Sequence, residues 1–296
     1  MTYRDMEIFI AVVECGRIGD AADKLHLAQP TVSSTIAKIE ADSKAPIFDR
    51  YSRRLIITPT GVELYHFCKQ ALSLNKKIKR LMNETEQVTM VRLGASQTVG
   101  GLSFCKAITA CEKHFDGIDV HTVIDNSSHI EDSVLNGELD FGFIERVPQY
   151  SDFDVEEIYT DELVVICSAE NPLWKKKTLD VTDLDGQQFI FREKGSGTRT
   201  FTEMLAESNG IHLHEKWTCH SQASVMNAVA SGQGISILSR NATATRSDLK
   251  VYRLQHAHAF RKFYRIIHKD KLLNMSQTEV LNYLEKLFKN CPHGKH

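Results

Sequence analysis

Two groups of residues in this chain are equipped for chemistry, and in both the chemistry is hydrogen bonding to oxygen atoms. The first is a pair of hydroxyl-rich segments, Ser96-Gln97-Thr98 and Arg192-Glu193-Lys194-Gly195-Ser196-Gly197-Thr198-Arg199, each read as the start of a helix. Glycines such as Gly195 and Gly197 let backbone N–H groups approach a ligand, and a helix N-terminus favours an anion. Ser196 and Thr198 add hydroxyl donors, and Arg192 or Arg199 supplies charge. The plainer alternative is that the serines and threonines only cap their helices, which such residues do routinely. The second group is the polar face of a short helix: Pro30, Thr31, Ser34 and Lys38, hydroxyls and a cation suited to phosphate oxygens and base edges.

Bond-making chemistry has no comparable footing. Gly195-Ser196-Gly197 lacks the Gly-x-Ser-x-Gly spacing, no Gly-x-x-x-x-Gly-Lys occurs, and no histidine lies three positions after Glu215 to complete a zincin motif. The tail Cys291-Pro-His-Gly-Lys-His296 reads as a frayed terminus before it reads as a metal site. The chain is therefore not expected to be an enzyme or to carry a metal or cofactor. Its seven cysteines are scattered without a Cys-x-x-Cys pair, so reduced thiols in a cytoplasmic protein are expected. Cys105 and Cys111 would lie about 9 Å apart along one helix, beyond the roughly 7 Å a disulfide bridges, and read as core thiols.

The elements that must position these groups follow from periodicity. Length suggests two domains, and 42% hydrophobic with 25% charged residues is ordinary for a globular protein. A net charge of −2 means that any basic footprint is local. No signal peptide is expected at Met1–Glu7, and the apolar run Ile8–Val13 is far too short to span a bilayer. Met6, Phe9, Ile10 and Val13 predict a first helix ending near Gly16. Ala21, Ala22 and Leu25 predict a second, Leu27 a tight turn, and Val32, Ile36 and Ile39 a third opened by Pro30. This is a helix-turn-helix pattern whose last helix is the candidate DNA reader. Two apolar runs around Arg50–Arg54 resemble a wing, with Arg53 and Arg54 at its tip to reach phosphates.

Leu64, Phe67, Ala71, Leu74, Ile78 and Leu81 then repeat at 3, 4, 3, 4, 3, a seam that a second copy of the chain would bury. Strands alternating with helices follow: 90–95, 120–124, 140–144, 162–168, 188–191, 234–238 and 263–268, with a closing helix over 278–288. Such alternation predicts parallel sheets with ligand crevices at the strand carboxyl ends. Asn126, Ser127, Glu145, Ser221 and Gln222 also stand at strand ends and are further lining candidates.

Residues 6–61 resemble the DNA-binding module of the LysR-type transcriptional regulators. The resemblance is carried by Phe9, Ala21-Ala22, Leu25, Gln29-Pro30, Val32-Ser33, Ile36, Ile39-Glu40, Pro46, Phe48, Arg50, Arg53 and Thr58-Pro59-x-Gly61. It implies Gln29, Pro30, Ser33, Ser34 and Arg53 as DNA contacts, with Ser34 standing where the family often has arginine and Lys44 where it often has glycine. Gly137-Glu-Leu-Asp-Phe-Gly, Asn171-Pro-Leu and Val229-Ala-Ser-Gly-Gln-Gly-Ile-Ser extend the likeness over nearly the whole chain.

The fold implied is an N-terminal all-α winged helix-turn-helix (1–61), a linker helix (62–90) that dimerises, and an α/β effector half (91–296) like periplasmic solute-binding proteins. That half divides into subdomain I (91–161 and 266–296) and subdomain II (162–265). Both hydroxyl-rich segments face one crevice there, which favours an anion or carboxylate effector over mere capping. Glu145 is awkward beside an anion unless an arginine pairs with it. The partners implied are double-stranded DNA and a small effector, with homodimers commonly pairing into tetramers and no membrane. The competing expectation is a small-molecule binding protein whose N-terminal module serves assembly only.

Overall fold

The computed structural model describes residues 1–43, 45–51, 54–83, 89–244, 246–255 and 259–289. The chain forms two compact units, 1–87 with 135–138, and 88–134 with 139–296. Lys44, Arg53 and the Cys291–His296 tail, singled out above, lie outside the described residues, as do the side chains of Arg50, Arg54 and Leu81.

In the first unit, α1 (Tyr3–Cys15) starts from a reciprocal cap between Thr2 and Asp5. Helix α2 (Ile18–Leu25) ends at His26 in a left-handed conformation, φ 54°, which turns the chain into α3 (Gln29–Asp42). Ala21 and Ala22 let the helices cross closely over Val32, Ile36 and Ile39. On α1 the buried residues are Ile8, Phe9, Ala11 and Val12, while the expected Met6, Ile10 and Val13 are only partly buried around them. Strands β1 (Phe48–Tyr51) and β2 (Arg54–Ile57) pair antiparallel as the expected wing.

Helix α4 (Pro59–Asn83) follows, and its start is clamped. Thr58 Oγ1 donates to Pro46 O (2.7 Å) and accepts from Gly61 N (3.1 Å). A Cβ on Gly61 would lie 2.4 Å from Ile47 O, so the Thr-Pro-x-Gly motif records a close approach of backbone to backbone. Leu64 belongs to this joint rather than to the seam, since it packs on the module's core. Phe67, Leu74 and Ile78 are exposed, at 57%, 60% and 45%, with Ala71 half-buried among them.

The second unit is α/β. Strands β3 (Thr89–Ser96), β4 (Ile118–Asp125) and β5 (Phe141–Ile144) run parallel. The connection after β3 is broken into α5 (Gln97–Val99), a π-helical turn (Gly100–Phe104) and α6 (Cys105–His114). Cys111 is buried but Cys105 is exposed, correcting its reading as a core thiol: six residues of α-helix turn the two about 240° apart, onto different faces of α6. Helix α7 (Ser127–Leu135) joins β4 to β5.

Two long strands, β6 (Phe153–Cys167) and β13 (Phe260–His268), cross antiparallel through the middle of the sheet, so the expectation of parallel sheets holds for β3–β5 on one flank and for the separate strand pairs outside this sheet. Beyond them come β7 (Leu179–Asp180), β8 (Gln188–Arg192), α8 (Gly197–Ser208), β9 (His214–Cys219), α9 (Gln222–Ala230), β10 (Ser236–Ser239), α10 (Arg240–Thr243), β11 (Lys250–Tyr252) and β12 (Leu254–Gln255). Strand β8 pairs parallel with β9, while β10 and β11 pair antiparallel with β6. Helix α11 (Met275–Lys289) closes over the β3–β5 core through Val280, Leu284 and Phe288.

Candidate functional site

The carboxyl ends of β3, β4, β5 and β8 converge with the N-termini of α8 and α9. Ser128 N donates to Gly195 O (3.2 Å), Arg192 Nη2 to Gln97 Oε1 (3.0 Å), and Gln222 Nε2 to Thr98 Oγ1 (2.9 Å). The two segments singled out from the sequence therefore meet, joined by the Arg192–Gln97 hydrogen bond, at the place where the crevice is expected. Their glycines are required by the meeting: Gly195 sits at φ +87°, and a Cβ on Gly197 would lie 2.4 Å from Glu145 Cγ.

The hydroxyls do different jobs. Ser96 accepts from Val99 N as a cap and donates to Glu145 Oε2 at 2.6 Å. Ser221 caps α9, bonding Ser224 N and Ser224 Oγ, and Asn126 Oδ1 accepts from His129 N at the start of α7. For these side-chain oxygens, capping is the observed role, which corrects their reading as free lining groups. Thr198 Oγ1 accepts from Arg261 Nη1 (2.8 Å). Ser196 is different. It occupies the N-cap position of α8, is 1% exposed, and its hydroxyl makes no cap and has no hydrogen-bond partner among the described residues. Ser127 Oγ and Arg192 Nη1 are likewise buried without a partner. Leaving such groups unmatched costs about 1–3 kcal/mol each.

The arginines also separate. Arg199 is spent on Glu203 and Glu215 (2.7 Å each) and stacks over Phe191, so it does not serve the crevice. Arg192 is held by Glu193 through Nε (2.8 Å) and Nη2 (2.9 Å), which leaves Nη1 as its free donor. Glu193, passed over in the sequence, is what orients it.

Glu145 lies 2% exposed behind the glycine loop, and is not an exposed wall of the crevice. Burial pushes its carboxyl up, but Arg261, 3.5 Å away, with the hydroxyls of Ser96 and Thr98, outweighs that and holds it below the usual range. Its charge is thus already matched, which removes the expected conflict with an anion. Arg261, another residue missed in the sequence, also grips Asp161 (2.9 Å), whose second oxygen accepts from Ser239 Oγ (2.7 Å). Burial raises the Asp161 pKa against those partners. Among the described residues no group of three or more His, Cys, Asp or Glu could hold a metal.

On the other unit, Gln29, Pro30, Thr31, Ser33, Ser34 and Lys38 are all exposed along α3. Ser34 Oγ donates to Thr31 O (3.0 Å), so its hydroxyl is held against its own helix with lone pairs outward. Lys38 Nζ lies 4.0 Å from Asp5.

Comparison with known proteins agrees with this architecture. Residues 3–62 match the family model "Bacterial regulatory helix-turn-helix protein, lysR family", and residues 85–289 match "LysR substrate binding domain". The transcriptional regulator CysL of Bacillus subtilis is 30% identical over 251 residues, covering 84% of this chain and 83% of that protein. The regulatory domain of CcmR from Synechocystis, solved in complex with 2-PG, is 26% identical with a TM-score of 0.63, over 68% of this chain and 98% of that one. CbnR, a LysR family transcriptional regulator, shares the fold with a TM-score of 0.65 at 18% identity, over 98% of this chain and 100% of its own. Among the described residues no helix is long and apolar enough to cross a membrane. From its winged helix-turn-helix to its α/β half, the chain belongs to the LysR family of bacterial transcriptional regulators.

Proposed function

We propose that this regulator binds promoter DNA as an oligomer and is controlled by a small anionic or carboxylate effector held between its two α/β subdomains. One observation carries the effector class: Ser196 Oγ, Ser127 Oγ and Arg192 Nη1 are buried donors, each without a partner among the described residues. An oxyanion supplies the acceptors that such donors lack, and the N-terminus of α8 adds a favourable field. That a related regulatory domain was solved with 2-PG supports a small-molecule ligand for this half. Gln97, Thr98 and Gln222 bridge the subdomains, so a ligand entering there re-weights an equilibrium between their arrangements.

On DNA, Gln29, Pro30, Thr31, Ser33, Ser34 and Lys38 of α3 meet the major groove, while Arg50, Arg53 and Arg54 of the wing reach the backbone. With Ser34 at the family's usual arginine position, recognition leans on DNA shape and phosphate contacts. Phe67, Ala71, Leu74, Ile78 and Leu81 form the dimer seam, and the exposure of Phe67, Leu74 and Ile78 supports that role. Dimers of dimers, working in the cytoplasm, complete the reading.

Two measurements test it. Titration calorimetry of the full-length protein with sulfate and small carboxylates is expected to give a saturable site lost in Arg192→Met; response only to uncharged ligands would refute the effector class. Gel shifts on the protein's own promoter region are expected to weaken steeply with salt. A complex indifferent to salt would count against the DNA contacts assigned here.

A further inference from the structure

Behind the crevice lies a buried acid that the ligand contacts do not use. Glu131, within α7, is fully buried. Its carboxylate meets Arg146 Nη2 at 2.7 Å and accepts from Gln149 N at 2.8 Å. Arg146, in the segment after β5, also directs Nη2 to Ser128 Oγ at 3.0 Å, and its Nε is buried without a partner among the described residues. Ser128 donates its backbone N–H to Gly195 O, and a Cβ on Gly195 would lie 3.0 Å from Ser128 Oγ. A continuous line of contacts therefore runs from the interior of subdomain I, through Arg146 and Ser128, to the loop of subdomain II that carries Ser196.

We propose that Glu131 and Arg146 are positioning residues for this crevice, and that the protonation state of Glu131 sets how firmly Asn126–Ser128 is held against Gly195. The consequence for anion affinity rests on the effector reading given above; the consequence for the loop does not.

Burial is what makes Glu131 responsive in the neutral range. It lifts the carboxyl to about 7, against the opposing pull of Gln149 N–H and Arg146, while Asp132 pushes it further up. The other ionisable groups nearby are His129, which faces Asp125 at 3.7 Å, and Tyr150, whose hydroxyl donates to Asp132 at 2.8 Å. Above neutrality Glu131 is charged, pairs with Arg146 and fixes the guanidinium on Ser128. Below it the acid is neutral, and a nearly buried guanidinium has lost its counter-charge, so Arg146 turns toward water and Ser128 is released. Between about pH 8 and about pH 6 the ionised fraction of such a group falls roughly tenfold.

Hydrogen exchange of the full-length protein, corrected for the intrinsic pH dependence of exchange, reads the loop directly. Protection of the Ser128 amide is expected to fall by up to about tenfold from about pH 8 to about pH 6, and Glu131→Gln is expected to remove that dependence. Wild-type protection that stays flat, or an equal fall in Glu131→Gln, overturns the proposal, and the wild-type arm stands even should the variant not fold. Sulfate titrated over the same range keeps its charge, so a parallel loss of sulfate affinity extends the effect to binding. Loop protection that responds to pH without any sulfate binding would uphold the relay and count against the anion reading instead.

Discussion

Ser196→Ala separates a ligand-binding hydroxyl from a helix cap by the sign of its effect. A serine that caps a helix stabilises it, and replacing it by alanine costs about 1 kcal/mol. Ser196 stands at the cap position, yet its hydroxyl is buried and bonded to nothing among the described residues. Removing it relieves a desolvation penalty of about 1–3 kcal/mol. For a unit the size of the α/β half, each kcal/mol moves Tm by about 2–4 °C, so the ligand-free variant is expected to melt at least about 2 °C higher than wild type. Ser221→Ala is the internal control. Its hydroxyl does cap α9, and its loss is expected to lower Tm by a similar amount. In the presence of an anion the order reverses for Ser196→Ala. One hydrogen bond to a charged ligand is worth about 1.5–3 kcal/mol, which is roughly a 10- to 150-fold loss of affinity. Scanning fluorimetry with and without sulfate measures both effects. Should Ser196→Ala melt lower than wild type without ligand, the hydroxyl is structural and the site assignment fails.

Other perturbations follow from contacts already described. Arg261→Met leaves Asp161 and Glu145 buried without a counter-charge and is expected to cost about 3–5 kcal/mol in urea denaturation, with part of that recovered in combination with Asp161→Asn. A loss below about 1 kcal/mol would mean that the carboxylates find other partners. Gly61→Ala drives a methyl into Ile47 O and is expected to cost about 1–3 kcal/mol in the N-terminal unit, seen as weakened operator binding with effector binding unchanged. Wild-type operator affinity in that variant would show the joint to be compliant.

Much of this molecule was legible from residue spacing, and what was hidden shares a cause. The reader helix, the wing and the alternation of strands with helices are local patterns, and local patterns survive in a one-dimensional chain. Arg192 and Arg199 stand seven positions apart at the two ends of one strand-to-helix turn, with nothing in the sequence to rank them. Only Glu203, Glu215 and Phe191, placed by folding, take Arg199 out of the crevice. Ser96 and Ser196 look alike for the same reason: the Glu145 that Ser96 meets lies on another element, and the cap bond expected of Ser196 does not form. The first half of β6 was missed because its outward positions are acids. Asp154 and Glu156 read as loop until Arg265 on β13 stands opposite them and pairs with both, at 2.7 and 3.0 Å. The π turn after Val99 was hidden too.

The clamp at Thr58 and Gly61 gives α4 the mechanics of a lever with a stiff fulcrum. Its 25 residues make an arm of about 37 Å. Because the fulcrum is fixed by backbone contact at Ile47, a swing of the arm turns the reader helix with it instead of being absorbed in a hinge. A rotation of about 5° about the arm's far end carries the fulcrum, and the reader helix with it, by about 3 Å, close to the ~3.4 Å rise of one base pair. Motions of that size are small enough for a side-chain event to cause and large enough to change register on a double helix.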